Sequence, residues 1–466
     1  MNEIIESTEA SSITSKSSNI QVRLESHHGR VVSVKFINKP DNLDSENKSD
    51  SIAPPFLHLS HHWFTSALGL FEAFPLNGSL AEFVRNQLAS DHFRKYLDEE
   101  AISKETEVSE DEKEVIIYNI ENFSAHRLSK NIERQHQLER GQTVILKAQL
   151  LALVAEYEVF MCDLFRLVIK AHPKGFISKE TTILASDILE GKDIESLKNS
   201  IIEKKIAALQ RESHVDQIKT VFDKLGIQGP DAKSIKEFGE ICLRRNLHTH
   251  ADGQVNSKYY DEMKNLGYVE ADIPEIGTKL QIDQQYLKRS TARVFQMGYF
   301  SLHLIWQKLE PKQHEESLGQ LIAHSHDFLI NEYTKVASRI CDFLLNKKSP
   351  ANERHRATAT INKALAISLN PDIPEKEKRE AINSTLETRD WSITDSDFDL
   401  ALSCVTKNYD NLGNQIDRCV SDKAFTEVEF LNWALFIEIQ AHPVFIEKME
   451  EHFSLQLSSP NASIEK

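Results

Sequence analysis

Three residues at the end of one predicted helix carry side chains suited to phosphate chemistry: Arg245, Asn246 and His250. The Asp252-Gly253 pair that follows is typical of a helix end. Because one helical turn covers about four residues, Asn246 and His250 share a face, whereas Arg245 continues the apolar stripe of the helix. An arginine therefore stands where a leucine would be expected.

The three side chains match the groups that cleavage of RNA without a metal requires. Such a reaction needs a base for the 2′-hydroxyl proton, an acid for the leaving oxygen and a cation for the charge that develops on the phosphate. His250 can act as base or acid near neutral pH. Arg245 offers a planar fork that fits phosphate oxygens, and the amide of Asn246 can hold the imidazole or a phosphate.

One turn supplies one such histidine, so a reaction with both an acid and a base predicts two copies facing each other across a twofold axis. The alternative is structural. A histidine near a helix end is often a partner of the helix dipole, and an arginine on a helix often pairs with a neighbouring glutamate, here Glu240 or Glu237.

Neighbouring residues are further candidates for substrate binding. Arg244 precedes the central arginine, and His248 lies two residues before His250 on a different face, so we expect it to face solvent or contact substrate. Tyr259 and Tyr260 are aromatic rings that stack on a base or close a core.

A cluster of His58, His61 and His62 raises the question of a metal site. Two histidines one turn apart can share an ion, but no acidic or cysteine partner lies at a suitable spacing. Partly buried histidines among aromatic residues are the expected arrangement. We predict no metal and no cofactor.

The composition indicates how these residues are positioned. The chain has 466 residues with 15 glycines and 13 prolines, and its long spans without either favour a mostly α protein of about three domains. We predict an N-terminal mixed α/β region at 1–139 with a disordered start, a central helical bundle at 140–310 and a C-terminal helical array at 311–466.

In the N-terminal region we expect two strands between Asn19 and Ile37, helices between Pro55 and Leu97, a charged loop from Ser103 to Glu114 and a strand near Val115. Central helices are predicted at Thr143–Ala171, Glu195–Gln210, Val215–Lys224, from Ala232 to the turn at Asp252, and at Gln284–Leu309, with an extended stretch at 267–281. C-terminal helices are predicted at 315–347, 354–369, 375–386, 395–406, 408–420, 424–439 and 441–454.

Charge and cysteine usage restrict the classes of function. The net charge of −16 argues against a broad surface for nucleic acid, although a local site is compatible with it. Five widely spaced cysteines are typical of reduced core residues in a cytoplasmic protein. The start of the chain is acidic and serine-rich, unlike a signal peptide, and charges interrupt its most apolar segment, so we predict no membrane segment.

The string from Arg245 to His250 resembles the R-x4-6-H motif of the HEPN ribonucleases, in which a polar residue follows the arginine. The resemblance extends over about residues 140 to 310 and is strongest to bacterial HEPN proteins of the abortive-infection kind. It rests on helix one with Glu156 and Glu158, on the stretches 240–246 and 250–260, and on Gly277-Thr278-Lys279-Leu280 followed by a closing helix.

The resemblance implies a homodimer with a composite site, metal-independent RNA cleavage that leaves a 2′,3′-cyclic phosphate, and a role as a toxin or antiphage effector. Arg245 and His250 would be the motif arginine and histidine, and Asn246 the polar neighbour. The flanking regions would recognise a trigger or restrain the nuclease. The main alternative is a non-catalytic HEPN module that dimerises while the helical array recruits a partner; a metal hydrolase using the three clustered histidines is a third.

Overall fold

A computed structural model describes residues 22–27, 30–36, 54–87, 90–108, 114–178, 181–182, 189, 193–392 and 394–453. The chain divides into two compact units, residues 1–53 and 54–466. In the first unit the described residues form an antiparallel hairpin of β1 (Val22–His27) and β2 (Arg30–Phe36), with an irregularity after Glu25. The two strands predicted here are confirmed, whereas the predicted disordered start lies outside the described residues.

The second unit begins with α1 (Pro55–Gln87) and α2 (Ser90–Glu100) and continues into a hairpin of β3 (Ala101–Val108) and β4 (Glu114–Ile120). The strand near Val115 is confirmed. The loop predicted from Ser103 to Glu114 is wrong at residues 103–108 and at Glu114, because charged residues also suit a two-stranded ribbon with a face open to water. Residues 109–113 of that prediction lie outside the described residues.

Helix α3 (Asn122–Ala171) is 50 residues long and starts 21 residues before the predicted helix. Its buried apolar residues begin at Leu146, and of the residues before that only Ser124 is buried. The early part of α3 therefore has no apolar stripe, which is the signal that would have predicted it. The proposed boundary between residues 139 and 140 lies inside this helix.

The central helices are α4 (Pro173–Phe176), α5 (Ile194–Leu209), α6 (His214–Leu225), α7 (Ala232–Ala251), α8 (Ser257–Asn265) and α9 (Gln284–Leu309). Side-chain N-caps fix the starts of five of them: Asp193, Ser213, Asp231, Asn256 and Asp283. Within 267–281, predicted to be extended, a single 3-10 turn occurs at Glu270–Asp272.

Eight further helices follow: α10 (His314–Ile330), α11 (Thr334–Leu345), α12 (Glu353–Ser368), α13 (Glu375–Leu386), α14 (Ser396–Thr406), α15 (Leu412–Ser421), α16 (Glu427–Asn432) and α17 (Pro443–Phe453). The segment predicted at 315–347 is two helices, separated where Glu332 has a φ of 63°. The described residues thus contain 17 α-helices and two short hairpins, and the mostly α prediction is confirmed.

The main core lies where α1, α3 and α9 meet. The ring of Trp63 stacks on Phe160, with 4.4 Å between centroids. Gly298 permits this approach, because a Cβ there would lie 2.9 Å from Phe160 Cε1 and 3.0 Å from Trp63 Nε1. Helix α1 is therefore part of the same core as the central helices. Among the described residues, no helix is both long and apolar enough to cross a membrane.

Buried histidines extend this core towards α10. The Nδ1 atom of His303 lies 2.9 Å from Ser317 Oγ, and Nδ1 of His324 lies 2.7 Å from the hydroxyl of Tyr299. Burial lowers the pKa of His303 well below its usual range and that of His324 to about 4. Both imidazoles are therefore neutral at pH 7 and serve as hydrogen-bonding parts of the core.

Candidate functional site

Helix α7 places the predicted residues in its last turns. The helix begins at the Asp231 cap and ends at Asp252, whose φ of 47° is left-handed. Asn246 and His250 are exposed, as expected for two residues on one open face. Arg245 is half-buried and points towards neighbouring helices, so the three residues do not share one surface.

Arg245 is held by a carboxylate from another helix. Its Nη2 atom donates to Oε1 of Glu158, on α3, and lies 3.4 Å from Nε2 of His214, the first residue of α6. The same histidine nitrogen lies 2.8 Å from Glu158 Oε1. Hydrogen bonding to His214 and the charge of Arg245 lower the pKa of Glu158. The expected pairing of Arg245 with Glu240 or Glu237 is not the one found.

Arg244 belongs to a separate buried cluster around Glu240. Its Nε donates to Glu240 Oε1 over 2.7 Å, and its guanidinium lies 4.1 Å from the ring centre of Tyr286. The hydroxyl of Tyr286 donates to Glu240 Oε2 over 2.9 Å, and that of Tyr259 to Oε1 over 3.2 Å. Both tyrosine hydroxyls and the arginine thus satisfy one carboxylate, which is the arrangement expected of a buried charge.

Tyr259 is 3% exposed and packs with Leu247 and Met263 in a small core. Its burial leaves no open ring face for a base, so of the two roles considered for this residue it fills the structural one. Burial also raises the pKa of the Tyr259 hydroxyl.

His248 does not face solvent, contrary to the sequence-based expectation. It is 6% exposed because the chain after α7 folds back over it, so that a Cβ on Gly253 would lie 2.6 Å from its Cε1 and 2.8 Å from the carbonyl oxygen of Leu280. Burial, and then the charge of Lys147, lower the pKa of His248 to about 4. Its Nε2 atom is buried and has no hydrogen-bond partner among the described residues.

Other functional candidates near this turn could not be recognised from the sequence. Lys147, on α3, and Lys279 both pair with Asp252, at 3.3 and 2.7 Å. Lys147 and His214 lie far from the motif along the chain in segments without a distinguishing pattern, and Lys279 belongs to a stretch that the resemblance includes but to which it gives no role. Only the antiparallel packing of α3 against α7, together with the fold-back of the 253–280 segment, brings them to the site.

The three clustered histidines are all exposed on α1, and among the described residues they form no group placed to share an ion. Elsewhere among the described residues, in the C-terminal helices, Asp417, Glu451 and His452 do form a group that could hold an ion. The ammonium of Lys448 lies 2.9 Å from Asp417 and 2.8 Å from Glu451. A cation of the chain itself thus already balances these carboxylates.

No protein-family model, curated protein or solved structure matches the chain. Its function is therefore inferred from its own residues and their arrangement.

Proposed function

We propose that the chain is a metal-independent endoribonuclease of the HEPN type that acts as a homodimer in the cytoplasm. The observation that carries the proposal is the arrangement at the end of α7. Arg245 is fixed by Glu158 and His214 at a half-buried position, and the same helix presents exposed Asn246 and His250 within the next turns. A cation held in place and an open imidazole, five residues apart on one helix, are two of the groups that phosphoryl transfer to a neighbouring hydroxyl requires.

In the proposed reaction, the imidazole of His250 in one copy takes the proton from a ribose 2′-hydroxyl. The 2′-oxygen attacks the adjacent phosphorus, and the bond from phosphorus to the 5′-oxygen breaks. His250 of the second copy, in its protonated form, donates a proton to that leaving oxygen. The products are a 2′,3′-cyclic phosphate and a free 5′-hydroxyl, and Arg245 balances the charge that develops on the phosphate oxygens.

The exposure of His250 favours a reaction in which a second copy of the chain covers this residue. An imidazole on an open surface is surrounded by water, whereas a twofold interface over the end of α7 would enclose the strand and bring two such groups together. We further propose that the activity makes the chain a growth-arresting effector in antiphage defence, with the N-terminal region or the C-terminal helices binding a trigger.

Cleavage of end-labelled RNA by the purified full chain in EDTA tests the proposal. We expect fragments with 2′,3′-cyclic phosphate ends, and we expect His250→Ala and Arg245→Lys to lower the rate at least a hundredfold. His62→Ala is the matched control, since it removes an equally exposed histidine from α1. Intact RNA with the wild-type chain, or equal rates in all variants, would contradict the proposal.

A non-catalytic dimerisation and adaptor module is the second candidate, and one observation favours it. The guanidinium of Arg245 is already neutralised by Glu158, as in a purely structural ion pair. In that case the purified dimer leaves RNA uncut, and Arg245→Lys changes the free energy of unfolding without changing any nuclease rate. Loss of cleavage on chelation would instead point to a metal hydrolase.

A further inference from the structure

Two lysines from distant parts of the chain converge just beyond His250. Lys147 lies on α3 and Lys279 precedes α9, and their ammonium groups lie 3.3 and 2.7 Å from the two carboxylate oxygens of Asp252. The side chain of Asp252 is 74% exposed, and those of the lysines are 30% and 56% exposed. Two cations therefore share one carboxylate, which leaves a local positive charge on a chain with a net charge of −16.

The buried imidazole of His248 lies close to the same two lysines. It is 6% exposed, and its Nε2 atom is buried without a hydrogen-bond partner among the described residues. The charges of Lys147 and Lys279 both act on its ring. A buried polar atom without a partner is costly unless a ligand or water satisfies it.

We propose that Lys147 and Lys279 form a phosphate subsite for single-stranded RNA, and that Asp252 occupies it when no RNA is bound. The inference rests on the proposed ribonuclease function and specifies how the strand is held. Lys147 and Glu158, the partner of Arg245, are 11 residues apart on α3, whereas Arg245 and Asp252 are seven residues apart at the end of α7, so the two sites are separated by about 10 to 16 Å of helix. That range corresponds to about three to five stacked nucleotides.

Binding of a fluorescent RNA of about twelve nucleotides, measured by anisotropy over a range of salt concentrations, tests the subsite. Lys147→Gln and Lys279→Gln should each weaken binding about fivefold at 0.1 M salt and make the slope of log K against log salt shallower by about 0.7. Asp252→Asn should strengthen binding, because it removes the competing carboxylate. Asparagine accepts the left-handed backbone at this position, so the variant should fold.

Lys335→Gln is the matched control, since Lys335 also pairs with an exposed carboxylate, that of Asp372, at 2.7 Å. A dinucleoside monophosphate has a single phosphate and cannot contact the Arg245 site and the subsite together, so the lysine substitutions should weaken its binding less than that of the longer RNA. Unchanged affinity and slope in both lysine variants would overturn the subsite, as would weaker binding by Asp252→Asn. Equal binding of a poly-glutamate peptide would overturn the assignment to RNA.

The two proposals fail in different ways. If RNA is cut but the lysine variants bind it as the wild type does, the subsite is wrong and the nuclease stands. If RNA binds with the expected salt dependence but stays intact, the catalytic proposal is wrong and the subsite stands. Absence of RNA binding overturns both.

Discussion

Arg245 is held by side chains from two other helices, Glu158 on α3 and His214 at the start of α6. The apolar stripe of α7 correctly indicated that this arginine points inward. It could not indicate that the partner would be Glu158 on α3 rather than a glutamate of the same helix, because helix packing selects among several acidic residues of similar local context. His214 joins the pair only because α6 begins there.

Glu158→Gln should lower the free energy of unfolding at pH 7 by about 0.5 to 1 kcal/mol, since the carboxylate is partly exposed and screened. The pKa of Glu158 is lowered in the folded chain, so its contribution is complete above the unfolded pKa, near 4.5, and is lost as the pH falls through the folded value. Urea unfolding should give a smaller difference in the free energy of unfolding between Glu158→Gln and wild type at pH 3.5 than at pH 7. Glu156→Gln, an exposed neighbour, should change little at either pH.

Buried neutral histidines should make the fold sensitive to acid. The pKa of His324 is lowered to about 4, so the unfolded chain binds more protons than the folded chain between about pH 6.5 and 4. Stability is therefore full above pH 6.5 and falls as the pH drops, by up to about 3 kcal/mol for this residue. The free energies of unfolding of wild type and His324→Asn, measured by denaturant titration, should converge as the pH drops to 4. A constant difference between them over this pH range would contradict the lowered pKa of His324.

At the scale of helices and strands, the sequence predicted most where start and stop signals coincide with an apolar stripe. Helix α9 begins and ends at the predicted residues, Gln284 and Leu309, and α7 ends at the predicted turn. The first part of α3 was missed because its few apolar residues, among them Phe123, Ile132 and Leu138, are exposed and form no continuous stripe, and α8 because its nine residues are too short to show a period. Long polar helices and short helices are positioned by their neighbours rather than by their own pattern.

Close packing of α9 against α1 and α3 depends on Gly298. Gly298→Ala should lower the free energy of unfolding by about 1 to 3 kcal/mol, because the added methyl group meets Phe160 and Trp63 at 2.9 and 3.0 Å. Gly319→Ala, on the exposed side of α10 with nothing within 4 Å, should instead stabilise by up to about 1 kcal/mol through helix propensity. Thermal unfolding of both variants gives shifts of opposite sign if the packing is as described.

At the scale of the whole molecule, the proposed mechanism requires two copies. When wild-type chain is mixed and re-equilibrated with the His250→Ala variant, the fraction of dimers in which both copies carry His250 equals the square of the wild-type fraction. Cleavage rate plotted against that fraction should therefore be quadratic, because base and acid come from different copies. A straight line would show that each copy acts alone, and His62→Ala mixtures should show no decrease.

The length of α3 has a mechanical consequence. Tyr96 and Glu100 attach α2 to this helix at Ser124, 22 residues before Leu146 enters the core. This is about 33 Å of helix. A tilt of 10° at the core would displace that attachment point by about 6 Å. A force on the β3–β4 end would therefore be transmitted through α3 to its buried part, the part that carries Lys147 and Glu158.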